Sequence, residues 1–243
     1  MNDQIYGIRA VLEAIGAEQP INKIFLQKGL KGELFRELEV AIRKNGISCS
    51  YVPVEKLNRL TRSNHQGAVA QISPVQFHNF ETLVEQVIQQ EEKPFFLLLD
   101  QVSDVRNFGA IIRTAECCGV HGIVVPKTGA APITDDTVKT SAGAVFNVPI
   151  AKVEHLKDAI FYLQSSEIQV IAATEKTESE IYDIDFNLSC AIVMGSEDKG
   201  ISSSVLSIVD QSAKLPLLGK IGSLNVSVAC AVFLYEVVRQ RRG

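Results

Sequence analysis

The apolar residues change their spacing along the chain, and each spacing predicts a different kind of element. Ile5, Ile8, Leu12 and Ile15 recur at helical intervals and predict a helix that ends at Gly16. Later segments predict a strand at 23–27, a helix at 33–44, a strand at 48–52, a short helix at 54–60 and a strand at 68–72. Helices that alternate with short strands over about 70 residues indicate a small α/β layer fold.

From Phe95 onward the apolar residues form continuous runs rather than a periodic pattern. Such runs predict strands buried on both faces, as in a parallel sheet covered by helices. The runs lie at 95–99, 122–125, 170–173 and 191–194. The segments between them predict helices at 110–118, 135–142, 156–164 and 203–209. The predicted fold is therefore α/β, with a mostly parallel sheet in the second part of the chain.

A more polar stretch that begins at Ser73-Pro74 separates the two patterns. We predict a first domain over residues 1–73, a linker over 74–93 and a second domain over 94–243. A short helix is predicted within this linker, and the sequence does not indicate against which domain it packs.

The longest apolar run, residues 226–238, predicts a core helix, because it is too short to span a bilayer. A stripe at i, i+4 and i+7 spacings is predicted to face the core. The stripe consists of Leu224, Val228, Ala231 and Tyr235. A short strand is predicted to start at Leu215. Ser223 is predicted to cap the helix, while Gly219 and Gly222 allow a close approach of backbone to a ligand.

Composition favours an ordinary soluble protein, with 46% hydrophobic and 21% charged residues. No basic, apolar leader opens the chain, so secretion is not expected. The five cysteines are an odd number without C-x-x-C spacing and favour a reducing cytoplasm. The four histidines are scattered, so no metal site is predicted.

The formal net charge of −4 counts against nucleic-acid binding, because phosphate affinity comes from Lys and Arg. Three local basic clusters nevertheless occur. They are Arg36/Arg43/Lys44, Arg59/Arg62/His65 and Arg239/Arg241/Arg242. Such clusters are more often solvated surface than an RNA-binding track, so charge alone does not decide the partner.

Three ordered segments carry a more specific signal. They read LDQVSDVRNFGAIIRTA at 99–115, IVMGSEDKGIS at 192–202 and SLNVSVA at 223–229. Together they closely resemble the three signatures of the SpoU-type RNA ribose 2′-O-methyltransferases, within the SPOUT superfamily. The chain departs from the family pattern at Val105, where proline is usual, and at Asp198, where glycine is usual. The second segment is no Walker A loop, because Ile201 follows its last glycine.

The resemblance implies roles for individual residues. Arg113 matches the central catalytic residue of the family, whereas without the motif it would be a surface arginine paired with Glu116 or Asp100. The implied catalytic set is Arg113, Asn107, Glu197, Ser223 and Asn225. The implied S-adenosyl-L-methionine-binding set is Thr174, Met194, Gly195, Ile201, Leu215, Leu217, Ser223 and Leu224. Gly195 is expected to let this cofactor come close.

Residues 2–13 and 65–68 resemble the opening and the closing segments of the substrate-binding domain in longer family members. That domain resembles a small ribosomal RNA-binding protein. The side chains implied to contact RNA are Arg9, Arg62, His65, Gln66 and Arg106.

The resemblance also implies a deep trefoil knot over residues of about 190–238, and a homodimer whose RNA site is shared between subunits. It implies methyl transfer from S-adenosyl-L-methionine to a ribose 2′-hydroxyl, most closely that of a guanosine in 23S rRNA, without metal or membrane. Two alternatives remain open, a tRNA ribose methyltransferase and a non-catalytic rRNA-binding assembly factor that retains the fold.

Overall fold

The computed structural model describes residues 4–90 and 93–242, which form two compact units. The first unit runs to Gln76 and includes Pro132–Thr134, while the second contains Phe77–Ala131 and the residues from Asp135 onward. The helix predicted in the linker is α4 (Phe80–Gln89), and its apolar side chains belong to the core of the second unit. Most of the predicted linker is therefore part of the second unit.

The first unit contains a four-stranded sheet and three helices. Its elements are β1 (Gln4–Tyr6), α1 (Ile8–Gly16), β2 (Ile21–Gln27), α2 (Glu33–Lys44), β3 (Cys49–Val52), α3 (Val54–Leu60) and β4 (Ala68–Ile72). The strand order is β1-β4-β2-β3, with β4 antiparallel to both of its neighbours and β3 parallel to β2. Helices α1 and α2 pack on one face of the sheet, and α3 packs on the other.

The prediction that Ile5 begins the first helix is wrong. Ile5 lies in β1 opposite Ala70, and the helix begins at Ile8. Gly7 separates the two elements, because its φ of 93° is incompatible with a helix. The side chain of Ile5 packs against the same core as the helix, which explains why the apolar spacing continues across the break.

The second unit is built on a six-stranded sheet in which every neighbouring pair is parallel. Its strands are β5 (Phe95–Asp100), β6 (Gly122–Pro126), β7 (Ile150–Val153), β8 (Gln169–Ala173), β9 (Cys190–Gly195) and β10 (Gln211–Ala213), in the order β10-β8-β9-β5-β6-β7. The other helices are α5 (Val105–Cys117), α6 (Asp135–Thr140), α7 (Leu156–Ser165), α8 (Ser203–Leu206) and α9 (Val226–Arg241). The predicted parallel sheet is confirmed. No helix within residues 4–90 and 93–242 is long and apolar enough to cross a bilayer.

The two edge strands, β7 and β10, are absent from the prediction. Their sequences, IAKV and QSA, lack the continuous apolar run of the four central strands, because part of each edge strand is not covered. The strand predicted to begin at Leu215 does not exist at that place, since β10 ends two residues earlier, at Ala213.

Helix α5 begins five residues before its predicted start at residue 110. The Asp104 side chain caps it by accepting a hydrogen bond of 2.8 Å from the backbone N–H of Asn107. Gly109 is a helical residue rather than a turn residue. A Cβ there would collide with the Thr140 side chain of α6, so this glycine allows α5 and α6 to pack closely.

Helix α9 presents a different face to the core than the sequence predicts. Val228 and Tyr235 of the predicted stripe are exposed, and Leu224 precedes the helix and is exposed as well. The face that packs on α5 and β9 contains Val226, Cys230, Phe233, Leu234 and Val237. The helix is apolar on almost every side, so its periodicity could not identify the buried face.

The last turn of α9 holds the helix against the strands through Arg241. Its guanidinium donates to the backbone carbonyls of Phe186 (3.0 Å), Lys93 (3.0 Å), Pro94 (3.2 Å) and Leu188 (2.8 Å), and it lies over the Phe95 ring. Arg239 instead pairs with Glu236, and this hydrogen bond lowers the pKa of Glu236. These two arginines of the basic cluster therefore have structural partners.

Replacement of Arg241 by alanine is expected to lower the free energy of unfolding by about 3 kcal/mol, because several carbonyls lose a charged donor at once. Denaturant unfolding of the whole chain measures this change. Arg242→Ala is the matched control, because its exposed side chain has no hydrogen-bond partner among the described residues, and it should change stability by less than about 0.5 kcal/mol. Equal effects of the two variants would contradict the structural role of Arg241.

Candidate active site

A cavity of about 740 Å³ opens at the carboxyl ends of β8, β9 and β10. Open parallel sheets bind ligands at this edge, and the volume lies within the usual range for small-molecule sites. The lining comes from the segments that follow the three strands and from the chain that leads into α9. These segments lie within 173–176, 194–200, 214–217 and 222–233.

Most residues implied to bind the cofactor line this cavity. They are Thr174, Met194, Gly195, Leu215, Leu217, Ser223 and Leu224. Ile201 is the exception, and its part in cofactor binding stays a prediction. Its side chain is only 3% exposed and packs in the core of the second unit, so it does not line the cavity.

Four further charged side chains of the cavity were not predicted from the sequence. Glu175 and Lys176 follow β8, Lys199 lies in the loop after β9, and Lys214 follows β10. Each follows the end of a parallel strand within four residues, which was an available signal, since strand ends meet at one edge of a parallel sheet. The described residues contain no group of three or more His, Cys, Asp or Glu side chains suited to a metal ion.

Gly195 is required by backbone packing. A Cβ at this position would overlap the backbone of Gly200 and Ile201, because the loop folds back over the end of β9. Ser196 and Gly200 exchange two backbone hydrogen bonds of 3.2 and 2.9 Å, which close this loop. The family resemblance explains this glycine by a close approach of the cofactor. The structure explains it instead by the packing of the loop against the end of β9.

The same loop is tied to the end of β5 through Asp100. This carboxylate is 5% exposed, and its Oδ2 accepts a hydrogen bond of 2.8 Å from the backbone N–H of Ser202. Asp100 thus bonds to this loop and forms no ion pair with Arg113, so it does not support the interpretation of Arg113 as a paired surface arginine.

Asn107, Glu197 and Asn225 form a continuous chain of hydrogen bonds. Asn107 Nδ2 donates to Glu197 Oε1, and Asn225 Nδ2 donates to Asn107 Oδ1 over 3.1 Å. The three residues come from the three separate sequence motifs. Glu197 and Asn225 line the cavity, and Asn107 joins them from the first turn of α5.

Asn225, and not Ser223, caps helix α9. Its Oδ1 accepts hydrogen bonds from the backbone N–H of Ser227 (3.0 Å) and from the Ser227 hydroxyl (2.6 Å). The cap prediction for Ser223 is therefore wrong, because the helix starts two residues later than that cap requires. Ser223 is exposed and lines the cavity, where its hydroxyl faces no other described hydrogen-bond partner.

Arg113 is the one predicted catalytic residue that neither joins these hydrogen bonds nor lines the cavity. It is exposed on α5, does not line the cavity, and forms no hydrogen bond or ion pair with the residues that the structure describes. Arg113 lies six positions after Asn107 on α5, about 9 Å farther along the helix axis and on a different face of the helix. Its guanidinium is therefore available to a substrate or to another chain.

The residues implied to contact RNA divide into exposed and buried positions. Arg9, Arg62, Gln66 and Arg106 are exposed. His65 is 9% exposed; its Nδ1 accepts a hydrogen bond from the N–H of Gly67 and its Nε2 pairs with Asn58. Both ring nitrogens of His65 thus hold the loop before β4, and its contact with RNA stays a prediction.

Asn107→Asp is expected to lower turnover about 100-fold, because a carboxylate cannot donate to Glu197 and repels it, so the loops of the cavity shift. Asn147→Asp is the matched control, since Asn147 also donates to a glutamate, Glu116, but lies outside the cavity. Steady-state rates of the methyl transfer that the family resemblance implies measure both variants. Partial recovery in the double variant Asn107→Asp/Glu197→Gln is expected, because the donor and acceptor exchange places. An equal loss in Asn147→Asp would contradict the assignment.

Two family models match the chain. The SpoU rRNA Methylase family matches residues 94–235, and the family described as RNA 2′-O ribose methyltransferase substrate binding matches residues 4–78. The protein described as "Putative TrmH family tRNA/rRNA methyltransferase YacO" from Bacillus subtilis (strain 168) is 35% identical over 241 residues, which cover 99% of this chain and 96% of the relative. A protein from Staphylococcus aureus (strain MSSA476) with the same family description is also 35% identical, over 98% of this chain and 96% of its own length.

Solved structures share the fold. The SpoU methyltransferase AviRb from Streptomyces viridochromogenes, in complex with AdoMet, has a TM-score of 0.62 and 23% identity, covering 98% of this chain and 90% of that one. The A. aeolicus TrmH/SpoU tRNA modifying enzyme has a TM-score of 0.56 and 27% identity, covering 66% of this chain and 85% of that one. With the ordered motifs and the family match over the second unit, these findings identify the chain as a member of the SpoU rRNA methylase family, the RNA methyltransferases of the SpoU/TrmH type.

Proposed function

We propose that this protein transfers a methyl group from S-adenosyl-L-methionine to a ribose 2′-hydroxyl of RNA, and that its substrate is a guanosine of 23S rRNA. The observation that carries the proposal is the convergence of Asn107, Glu197 and Asn225 beside a cavity of cofactor size. A non-catalytic assembly factor, the rival from another class, would not need this chain of hydrogen bonds.

The cavity lining suits the proposed cofactor. S-adenosyl-L-methionine, when bound, supplies a methyl group on a positively charged sulfur. Met194, Leu217 and Leu224 offer apolar surface of the kind that an adenine ring prefers. Glu175 and Lys176 place both signs of charge in the same cavity, and the cofactor carries both signs as well.

The residues of the chain have two tasks in such a transfer. They must hold the ribose oxygen in line with the methyl group, and they must stabilise the charge that develops on that oxygen. We assign the first task to Asn225 and Ser223, and the second to Arg113. A guanidinium has donors but no acceptor, so we favour an RNA phosphate oxygen or a water molecule as the proton acceptor.

A homodimer is part of this proposal. Val228, Val232 and Tyr235 of α9 are 50, 39 and 55% exposed, and Leu218 and Ile221 before the helix are exposed as well. Val228, Val232 and Tyr235 share one face of α9, and exposed apolar side chains grouped in this way are typical of an interface between protein chains. Since Arg113 lies away from the cavity of its own chain, we propose that the RNA site is shared between two copies.

The first unit favours ribosomal RNA over tRNA as the substrate. The family model for substrate binding matches residues 4–78, whereas the tRNA modifying enzyme from A. aeolicus aligns with only 66% of the chain. A tRNA ribose methyltransferase is the second candidate, because the Bacillus subtilis relative is described with both RNA classes. The threading of residues 190–238 through a trefoil knot and a cytoplasmic location, which suits the five free thiols, remain predictions.

One experiment tests the reaction and the substrate together. Labelled S-adenosyl-L-methionine is supplied with naked 23S rRNA, with assembled large subunits and with tRNA, and the modified nucleotide is mapped. We expect label on a guanosine 2′-oxygen of 23S rRNA. Label in tRNA alone would replace the rRNA assignment by the tRNA one, and no label in any RNA would favour the assembly factor.

A further inference from the structure

One face of the sheet in the first unit differs from the other in its covering and its chemistry. The residues Ile5, Ala70, Ile24 and Cys49 form a cross-strand row that faces helices α1 and α2. The neighbouring rows point to the opposite face, because successive side chains alternate along a strand. Among the described residues, the short helix α3 is the only helix of the unit on that second face, and it packs on Phe25, Val52 and Val69.

The part of this face beside α3 carries polar and aromatic side chains. Gln4, Gln71 and Lys23 lie opposite one another on β1, β4 and β2 and form one row. Tyr6 lies in the next row, opposite Val69, and is 37% exposed. We call these four residues, Gln4, Tyr6, Lys23 and Gln71, the sheet platform. It contains no acidic residue.

Two lysines meet at the border of the sheet platform. The Nζ atoms of Lys23, on β2, and Lys56, on α3, each lie 5.5 Å from the centre of the Phe25 ring. Neither lysine forms an ion pair with any residue in the described part of the chain. Two cations that share one aromatic ring without a carboxylate create a local positive potential, which an anionic partner would relieve.

From this combination we infer that the sheet platform binds single-stranded RNA. An exposed tyrosine on a partly exposed sheet face offers a stacking surface for an unpaired base, as strands with aromatic side chains do in other RNA-binding domains. The glutamine amides supply donors and acceptors for base edges or 2′-hydroxyls, and Lys23 and Lys56 neutralise phosphates. The contacts expected from the family resemblance did not include any of these residues.

The sheet platform adjoins one residue that the sequence analysis did select. Gln66 lies against Gly7, the residue after Tyr6, so close that a Cβ on Gly7 would be 3.5 Å from Gln66 Oε1. An RNA strand on the sheet platform therefore continues toward the exposed Gln66. This inference rests on the proposed function, because it names the surface by which the first unit holds the RNA substrate.

Binding of the whole protein to a labelled single-stranded oligoribonucleotide of mixed sequence tests the inference. Tyr6→Ala is expected to weaken binding about tenfold, through the loss of one stacked base. Lys23→Gln combined with Lys56→Gln is expected to reduce the slope of log affinity against log salt by about 1.4, since each phosphate contact on a single strand contributes about 0.7. The affinity for S-adenosyl-L-methionine should stay unchanged in all of these variants.

Matched controls lie on the other face of the same unit. Tyr51 is 50% exposed and its hydroxyl bonds to Glu39 of α2, so Tyr51→Ala removes an exposed tyrosine away from the sheet platform. Lys44→Gln removes an exposed charge from α2. Both controls should bind RNA within about twofold of the unaltered protein, as is usual for surface substitutions away from a site.

The outcomes separate this inference from the proposed function. If the unaltered protein methylates RNA and the Tyr6 and lysine variants bind RNA equally well, only the inference is overturned. The inference is also overturned if Tyr51→Ala weakens RNA binding as much as Tyr6→Ala does. It is overturned as well if the Tyr6 and lysine variants lose self-association but keep their affinity for RNA. If the unaltered protein binds no RNA at all, the inference and the proposed function both fail.

Discussion

Gly195→Ala abolishes both cofactor binding and methyl transfer, as we expect, and lowers the free energy of unfolding by about 3 kcal/mol. The added methyl group would overlap the backbone of Gly200 and Ile201, and backbone cannot rotate away as a side chain can. The loop over β9 would have to lift. Glu197 would then lose Asn107, and Ser202 would lose its bond to Asp100. Calorimetric titration with S-adenosyl-L-methionine and thermal unfolding measure the two effects.

Gly222→Ala is the control for this variant. Gly222 also lines the cavity, but a Cβ at its position meets no other atom within 4 Å, so this variant should fold normally. Loss of cofactor binding with normal stability in Gly222→Ala would indicate direct contact between this segment and the cofactor. Normal binding by Gly195→Ala would show that the loop after β9 does not shape the cofactor site.

Arg113→Ala is expected to lower turnover about 1000-fold, while the affinity for S-adenosyl-L-methionine changes less than about twofold. The first effect follows from the proposed contact of the guanidinium with the developing charge on the ribose oxygen. The second follows from the structure, because Arg113 does not line the cavity. Single-turnover methyl transfer and calorimetry separate the two quantities.

Arg106→Ala provides the comparison, because Arg106 is exposed on the same helix and lacks a proposed part in the chemistry. It should weaken RNA binding modestly and leave the rate at saturating RNA near that of the unaltered protein. Arg113→Lys should recover only a small part of the rate, since an ammonium lacks the planar fork of donors. A large loss of cofactor affinity in Arg113→Ala would refute the assigned role.

The sequence predicted the central strands well, because Phe95–Asp100 and Cys190–Gly195 are buried on both faces and, apart from Asp100, consist of apolar residues and glycine. It predicted the meeting of Asn107, Glu197 and Asn225 through the resemblance of the three motifs. Their positions in the sequence alone would not have indicated this contact, because Asn107 and Asn225 lie far apart along the chain and meet only in the folded second unit.

Other features depend on contacts that no local pattern encodes. The buried face of α9 could not be identified, because apolar residues surround the helix and an exposed apolar face looks like a core face in sequence. His65 was expected to contact RNA, yet it is satisfied within its own loop. Gly195 is needed because the loop formed by residues 196–201 folds back over it, and the path of that loop cannot be read from the local sequence.

The strand order has a consequence for how the protein is made. β5 lies in the middle of the second sheet, but its neighbour β9 is the ninth strand to leave the ribosome. Phe95 therefore cannot pair with Cys190 until the chain has been synthesised that far. At ordinary rates of synthesis this wait lasts on the order of ten seconds. During that time the edge of β5 that pairs with β9 has no partner, whereas all strands of the first unit have already been synthesised. The nascent second unit is therefore the stage at which we expect aggregation, and chaperones that cover apolar strands would act there.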